Sequence, residues 1–381
     1  MARESRRDNL LVRVLHLTDR VSDRGGAHVH LLAILEQLAR GHVVRLAAGA
    51  DDSASAPCPM ELVPGLDARV RRAVDIEPLL ERFRPDVVHL NTVVNPAVIE
   101  WAAGRPSVMT VQDHRYFCPT RGKWTAEGLP CRDRMRVELC AGCFRDEAYF
   151  REVYALTEQR LHALRRLPAV VVLSHYMKDE LALAGLSPAR VTVVPPFVSG
   201  LDPGADPDGP PCVLFVGRLA EAKGVREAME AWRKAGLDLP LVFAGTGPLR
   251  AEVESEGFQV LGWLSRPRLS AAYRRARALL MPSRWQEPFG IAGLEASSFG
   301  VPVVAFDSGG IREWHSGEGL VAWGDVEGLA QALRDAVGRR GAPPPGFEPE
   351  DLMRRLVAVY ESVREGGEGG SAHEPGAAAL R

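Results

Sequence analysis

The sequence predicts an α/β protein made of two doubly wound parallel-sheet domains that face each other across a cleft. Three observations carry that expectation. Short β-branched runs alternate with longer amphipathic stretches, the alternation occurs twice, and a Pro-, Gly- and Asp-rich segment separates the two rounds. Strands separated by connections of helix length pair in parallel, because the crossover has to return to the same end of the sheet. At 381 residues the chain also exceeds what one core usually organises.

In the first round, Leu11 to Thr18 reads as a buried strand, nearly continuous in apolar residues. Gly25 and Gly26 follow, then a helical pattern from about Ala27 to Arg40, which Gly41 closes. Further strands are expected at His42 to Ala48, Asp86 to Asn91, Pro106 to Asp113, Ala169 to Ser174 and Val191 to Pro195. A long helix is expected over Glu147 to Arg166, after an irregular Cys-bearing insertion at 114–146. This domain is assigned to residues 10–198. Residues 199–211, SGLDPGADPDGPP, carry too little apolar content to pack and read as a linker. The second domain, 212–345, has strands at Cys212 to Val216, Leu239 to Ala244, Phe258 to Gly262, Ala278 to Met281, Pro302 to Phe306 and Leu320 to Trp323. A last amphipathic helix lies within 346–365, expected to return to the first domain, and 366–381 reads as a disordered tail.

Composition excludes several classes. The formal net charge of -2 offers no global basic excess for nucleic acid. The longest apolar runs are strand-sized, short of the roughly 20 residues that span a bilayer. Met1 to Asn9 is polar and basic and leads into a short apolar run, so it reads as a tail, not a secretion signal. A cytoplasmic, reducing compartment is the simpler expectation for the six cysteines.

Chemistry concentrates in MPSRWQEPFGIAGLEASSFGVPVVAF, Met281 to Phe306. A strand ends near Pro282 and Ser283, a loop presents Glu287, and a helix starts near Gly290. Ligands of doubly wound sheets gather at the carboxyl ends of strands. There the unpaired N–H groups around Phe289, Gly290 and Ile291 suit a diphosphate. Glu287 suits sugar hydroxyls and Glu295 suits ribose hydroxyls. Taken alone, the two glutamates read equally well as a dipole partner and a solvated helix residue. In FVGRLAEAKG, Arg218 and Lys223 are cations on a strand-to-helix loop, placed to stabilise a departing diphosphate or simply to be surface charges. Gly25-Gly26 lets a ligand approach the backbone, or is only a helix start.

The ordered series is more specific than its members. Gly25-Gly26, RPDVVHLN at Arg84 to Asn91, VVVLSHYMKDEL at Val171 to Leu181, VGRLAEAKG, AGTGPL at Ala244 to Leu249, LGWLS at Leu261 to Ser265 and EPFGIAGLEA together resemble family 4 of the retaining GT-B glycosyltransferases. The resemblance runs from Leu11 to about Arg334. It implies two Rossmann-like domains, a nucleoside-diphosphate sugar as donor and an acceptor that is a glycan, a lipid carrier or a small molecule. It also implies that Glu287 contacts the donor sugar, Glu295 the ribose, and Arg218 with Lys223 the diphosphate. Gly26 approaches the donor, Phe289, Gly290 and Ile291 supply amides, and the base lies near Trp263 and Leu264. Many relatives carry His-Asp where this chain has Gln112-Asp113. Either Gln112 takes that polar role or His114 swings in. The cations and helix ends are expected to replace a catalytic divalent metal.

Cys118, Cys131, Cys140 and Cys143 lie within 114–146, the last two as Cys-x-x-Cys. Four thiolates suit a tetrahedral structural zinc, and an iron–sulfur cluster uses the same ligands. Loop cysteines without metal, or a disulfide, are the plain alternatives. Arg132, Arg134, Arg136, Arg165 and Arg166 would suit an anionic lipid surface, so peripheral membrane contact is carried as an expectation beside the commoner solvated face. A non-catalytic nucleotide-sugar or carbohydrate-binding protein on the same fold is the competing function. A Rossmann dehydrogenase is disfavoured, since Gly245-Thr246-Gly247 lacks the third glycine of the dinucleotide fingerprint.

Overall fold

The computed structural model describes residues 11–52, 54–120 and 122–368. Seven strands form the first sheet: β1 Arg13–Val21, β2 Val43–Asp51, β3 Met60–Leu62, β4 Val87–Leu90, β5 Ser107–Val111, β6 Ala169–Val172 and β7 Val191–Val193. Their order is β3-β2-β1-β4-β5-β6-β7, with every pairing parallel. The second sheet holds β8 Cys212–Val216, β9 Leu241–Ala244, β10 Gln259–Gly262, β11 Ala276–Met281, β12 Val303–Phe306 and β13 Leu320–Val321. Its order is β10-β9-β8-β11-β12-β13, also all parallel. Both sheets reverse direction of growth beside their first strand, β1 or β8, and that crevice is where such sheets bind ligands.

The strands are continuous apolar runs because helices cover both faces. In the first domain one core layer packs under the helices Glu77–Phe83, Pro96–Ala102 and His175–Leu183. The opposite layer packs under Gly26–Leu38 and the final helix Pro349–Glu368, whose Leu352, Leu356, Tyr360 and Val363 join Val14 and Val87 of the first sheet. Each such side chain removed from water contributes about 1.5–3 kcal/mol. The last helix thus crosses back from the second domain. It extends past the point where the sequence pattern ends it; the rest of the expected tail, and Met1 to Asn9, lie outside the described residues.

Several elements escaped the sequence pattern. β3 has three residues and the helices Glu77–Phe83 and Pro96–Ala102 seven each, too short to display a period. The linker is also less free than its composition suggests. The helix Arg266–Arg275 clasps it: Arg266 donates to the Ser199 carbonyl, Asp202 N to Ser270 Oγ at 3.0 Å, and Arg274 Nε to the Ala205 carbonyl at 3.1 Å.

Candidate active site

The two sheets present their carboxyl edges to one cleft, a cavity of about 780 Å³. The size suits a small-molecule substrate. Two helix starts meet across it. Gly26 opens the helix Gly26–Leu38 on one wall, and Ile291 opens Ile291–Ser298 on the other. A Cβ on Gly26 would stand 3.2 Å from Ile291 Cδ1, so the absent side chain is what lets the walls approach. Gly290, at φ +87, turns the chain into the second helix in a conformation that side chains rarely adopt. Both starts leave backbone N–H groups without helical partners, at residues that line the cavity.

Glu287 sits at the heart of the second wall, only 4% exposed. Its carboxylate accepts from Lys223 Nζ at 2.7 Å and from Ser283 Oγ at 2.5 Å. Burial works against its charge, but Lys223 and Ser283 outweigh that and hold the carboxyl below the usual carboxylate range. The loop that carries it is tied on several sides. Gly310 N donates to the Glu287 carbonyl, Ser308 Oγ to the Trp285 carbonyl, and Arg284 N and Trp285 N to the Ala222 carbonyl beside Lys223. Glu295 is buried likewise and accepts from Arg266 Nη1 at 2.6 Å and the Tyr273 hydroxyl at 3.0 Å. Neither glutamate is a solvated helix residue. Arg218 lines the cavity, exposed, with no ion-pair partner among the described residues. Gly25, Phe289, Trp263 and Leu264 also line it, Trp263 with 41% of its surface exposed.

On the first wall, Gln112 and Asp113 line the cavity and His114 does not. Both side-chain polar atoms of Gln112 are buried and lack a partner among the described residues. His114 lies behind the loop: its Nε2 faces the Tyr176 hydroxyl at 3.1 Å and its ring meets Trp285 edge-on at 6.0 Å. Burial pushes its pKa down to about 4, so it is neutral at ordinary pH. Of the two alternatives posed by the sequence, the structure brings Gln112 to the cavity.

Several residues near the cavity were given no role in the sequence. Arg266 sits in a helix rich in Arg, where nothing marks one from another. Asp19 accepts from Thr92 Oγ1 at 2.6 Å and faces His28 Nε2 at 3.1 Å, and His28 lines the cavity. Thr92 has φ +29, an outlying conformation for a β-branched residue, at the carboxyl end of β4.

The metal expectation finds no support. Among the described residues no three His, Cys, Asp or Glu side chains converge as a metal requires. Cys118 Sγ points to the Thr120 carbonyl at 3.4 Å and Cys131 Sγ to the Asp133 carbonyl at 3.9 Å, while Cys140 and Cys143 belong to consecutive short helical turns. Cys118, Cys143 and Cys131 all act electrostatically on the Cys140 thiol, so the four cysteines share one neighbourhood. Burial raises the Cys140 thiol to about 11.

Two Rossmann-like sheets whose carboxyl edges share one cleft, with the last helix returning to the first domain, define the GT-B architecture. The family is equally plain: residues 24–199 match the model described as Glycosyltransferase Family 4 and residues 210–338 the model described as Glycosyl transferases group 1. The chain belongs to this family of glycosyltransferases. It is 29% identical over 280 residues to the glycogen synthase of Mycobacterium tuberculosis, a match covering 67% of this chain and 61% of that protein. The chain therefore spans less than two thirds of that relative. It is 28% identical to the D-inositol 3-phosphate glycosyltransferase of Rhodococcus erythropolis, over 76% of this chain and 72% of that one. Among solved structures, Anabaena Alr3699/HepE in complex with UDP-glucose superposes with a TM-score of 0.65 at 16% identity, covering 94% of this chain and 100% of that one. Among the described residues, no helix is long and apolar enough to cross a membrane.

Proposed function

We propose that this glycosyltransferase takes a sugar from a nucleoside-diphosphate donor and transfers it, with retention at the anomeric carbon, to an acceptor hydroxyl held against the first wall. One observation carries the reading: two facing helix starts, the exposed Arg218 and the ammonium of Lys223 all line the cavity that Glu287 and Glu295 enter. The donor diphosphate lies between the helix starts, with Arg218 and Lys223 on its oxygens. Glu287 accepts from sugar hydroxyls and Glu295 from the ribose, each exchanging an internal partner for a ligand. Trp263 and Leu264 border the base.

The bond from the anomeric carbon to the diphosphate oxygen breaks, and a bond from that carbon to the acceptor oxygen forms on the same face. The acceptor proton passes to an oxygen of the leaving diphosphate. Positioning and stabilisation of the developing negative charge supply the rate enhancement. The complex of HepE with UDP-glucose and the family resemblance both favour this donor class. A glycan, a lipid-linked sugar and a small molecule all remain acceptors to assay.

The test is a melting-temperature screen of nucleoside diphosphates and their sugars. A bound donor product stabilises by mass action, so one base should raise the midpoint in a concentration-dependent way. NMR of the product with the matching donor reads the anomeric configuration. No stabilisation by any nucleoside diphosphate, or an inverted product, overturns the corresponding half of the proposal.

A further inference from the structure

The Cys-bearing insertion rests on the loop that carries Glu287, as a strap from the first domain. Its tip meets three consecutive residues there. Gln286 N donates to the Gly122 carbonyl at 2.9 Å. A Cβ on Gly122 (φ +69) would lie 2.7 Å from Trp285 Cε3 and 3.1 Å from Trp285 Cβ, so the strap's backbone lies directly against the indole. The Arg284 guanidinium stacks on the Trp124 ring at 5.0 Å while pairing with Glu227 at 2.6 Å. The tip is anchored to its own domain by Lys123, buried, with φ +61. Its ammonium reaches the Glu180 carboxylate at 2.9 Å and the Asp133 carbonyl at 2.5 Å.

The indole that the strap touches is also a support for the cation of the donor site. Lys223 Nζ stands over the Trp285 ring at 4.3 Å and gives its hydrogen bond to Glu287. An ammonium on a flexible four-carbon stem has many rotamers, and an aromatic face beside it removes most of them at little cost. Gly122 therefore acts on Lys223 through one ring.

We propose that Trp285 is a positioning residue for Lys223, and that the strap of the first domain holds it in place, so the diphosphate site in the second domain is complete only with the strap seated. The proposal rests on the reading of Lys223 as a diphosphate ligand. It adds that the strap contributes to donor binding without touching the donor.

The experiment measures dissociation constants for UDP, GDP and ADP, and for the corresponding monophosphates, by titration calorimetry of the full chain. With the diphosphate that the wild type binds, Trp285→Leu and Gly122→Ala should each weaken binding about tenfold, the worth of a partly desolvated cation–π contact. Affinity for the monophosphate of the same base should stay within twofold, and Trp285→Phe should restore most of the diphosphate affinity. Because a Cβ at Gly122 is strained in itself, Trp124→Ala is the companion variant that loosens the strap elsewhere; it should weaken the diphosphate selectively too. Equal losses for mono- and diphosphate, or unchanged diphosphate affinity in Trp285→Leu, overturn the inference while leaving the donor class intact. A wild type that binds none of the three diphosphates overturns both.

Discussion

The two walls of the cleft are prepared differently. On the second, the buried carboxylates are already paired: Glu287 with Lys223 and Ser283, Glu295 with Arg266 and Tyr273. On the first, Gln112 has neither amide atom bonded and His30, also lining the cavity, has both ring nitrogens without a partner among the described residues. A buried charge left alone is expensive, so a site that must hold carboxylates ready for hydroxyls gives them internal partners to exchange. A neutral amide or imidazole waits at far lower cost. The contrast places a fixed electrostatic frame on one side and uncommitted polar groups on the other.

The sharpest break of that contrast is Glu287→Gln. The amide keeps the shape but no longer holds the Lys223 ammonium by charge, and on the proposed reading the sugar loses a carboxylate acceptor. Removal of one preorganised polar group at a reacting centre costs about 10²–10³ in rate, so kcat should fall by that order. The assay is transfer or donor hydrolysis with the base identified by melting; a fall under threefold would refute the role. Acid acts on the same pair. The folded carboxyl is held below its unfolded value, so its stabilising contribution is present above the unfolded carboxylate range and disappears as pH falls through the folded pKa.

Buried imidazoles give the next effect. His30 is 5% exposed, and burial lowers its pKa to about 4 from 6.5. Between those values the unfolded chain binds the proton and the folded one does not. Stability from this group is therefore whole above pH 6.5 and shrinks as pH falls toward 4. His30→Leu should reduce the loss of unfolding free energy between pH 7 and 5 by about 2 kcal/mol, read from denaturant titrations at both pH values. An unchanged difference would mean that the imidazole is hydrated. His89, depressed by burial as well, is a different case, because the Tyr360 and Thr110 hydroxyls at 2.7 Å occupy both its nitrogens.

Glu295→Ala tests the ribose end. The loss of two hydroxyl acceptors, partly offset by freeing Arg266 and Tyr273, should weaken nucleoside diphosphate binding about tenfold, measured by calorimetry. Affinity within twofold of the wild type would place the ribose elsewhere.

Strand positions were legible because fully buried parallel strands write themselves as apolar runs such as Cys212–Val216. The helix starts at Gly26 and Ile291 were legible through their glycines. The cysteines show the limit of spacing, which does not fix where thiols point: among the described residues no metal-holding group is present. Trp285 was part of a quoted motif but had no assigned chemistry, because its partners Gly122 and Lys223 come from distant segments. Arg266 was invisible for the same reason, since its partners Glu295 and Ser199 are fixed only once the helix has folded against the linker.

Gln112 sharpens the contrast most directly. It stands at the end of β5 with both amide atoms buried and unbonded among the described residues, beside Asp113, whose carboxylate is taken by Arg115 at 2.8 Å. An unsatisfied buried amide costs free energy in the folded protein, so removing it should not destabilise. Gln112→Leu keeps the volume and should leave the melting temperature unchanged or slightly raised. If the amide bonds the transferred sugar, kcat/KM for the donor should fall about three- to tenfold, while the affinity for the bare nucleoside diphosphate, which has no sugar to meet Gln112, stays put. A drop in diphosphate affinity of the same size would move Gln112 from the sugar to the phosphates. Gln112→His, which installs the residue many relatives carry there, should retain more activity than Gln112→Leu, because a ring nitrogen can still donate to a sugar hydroxyl from the same strand end.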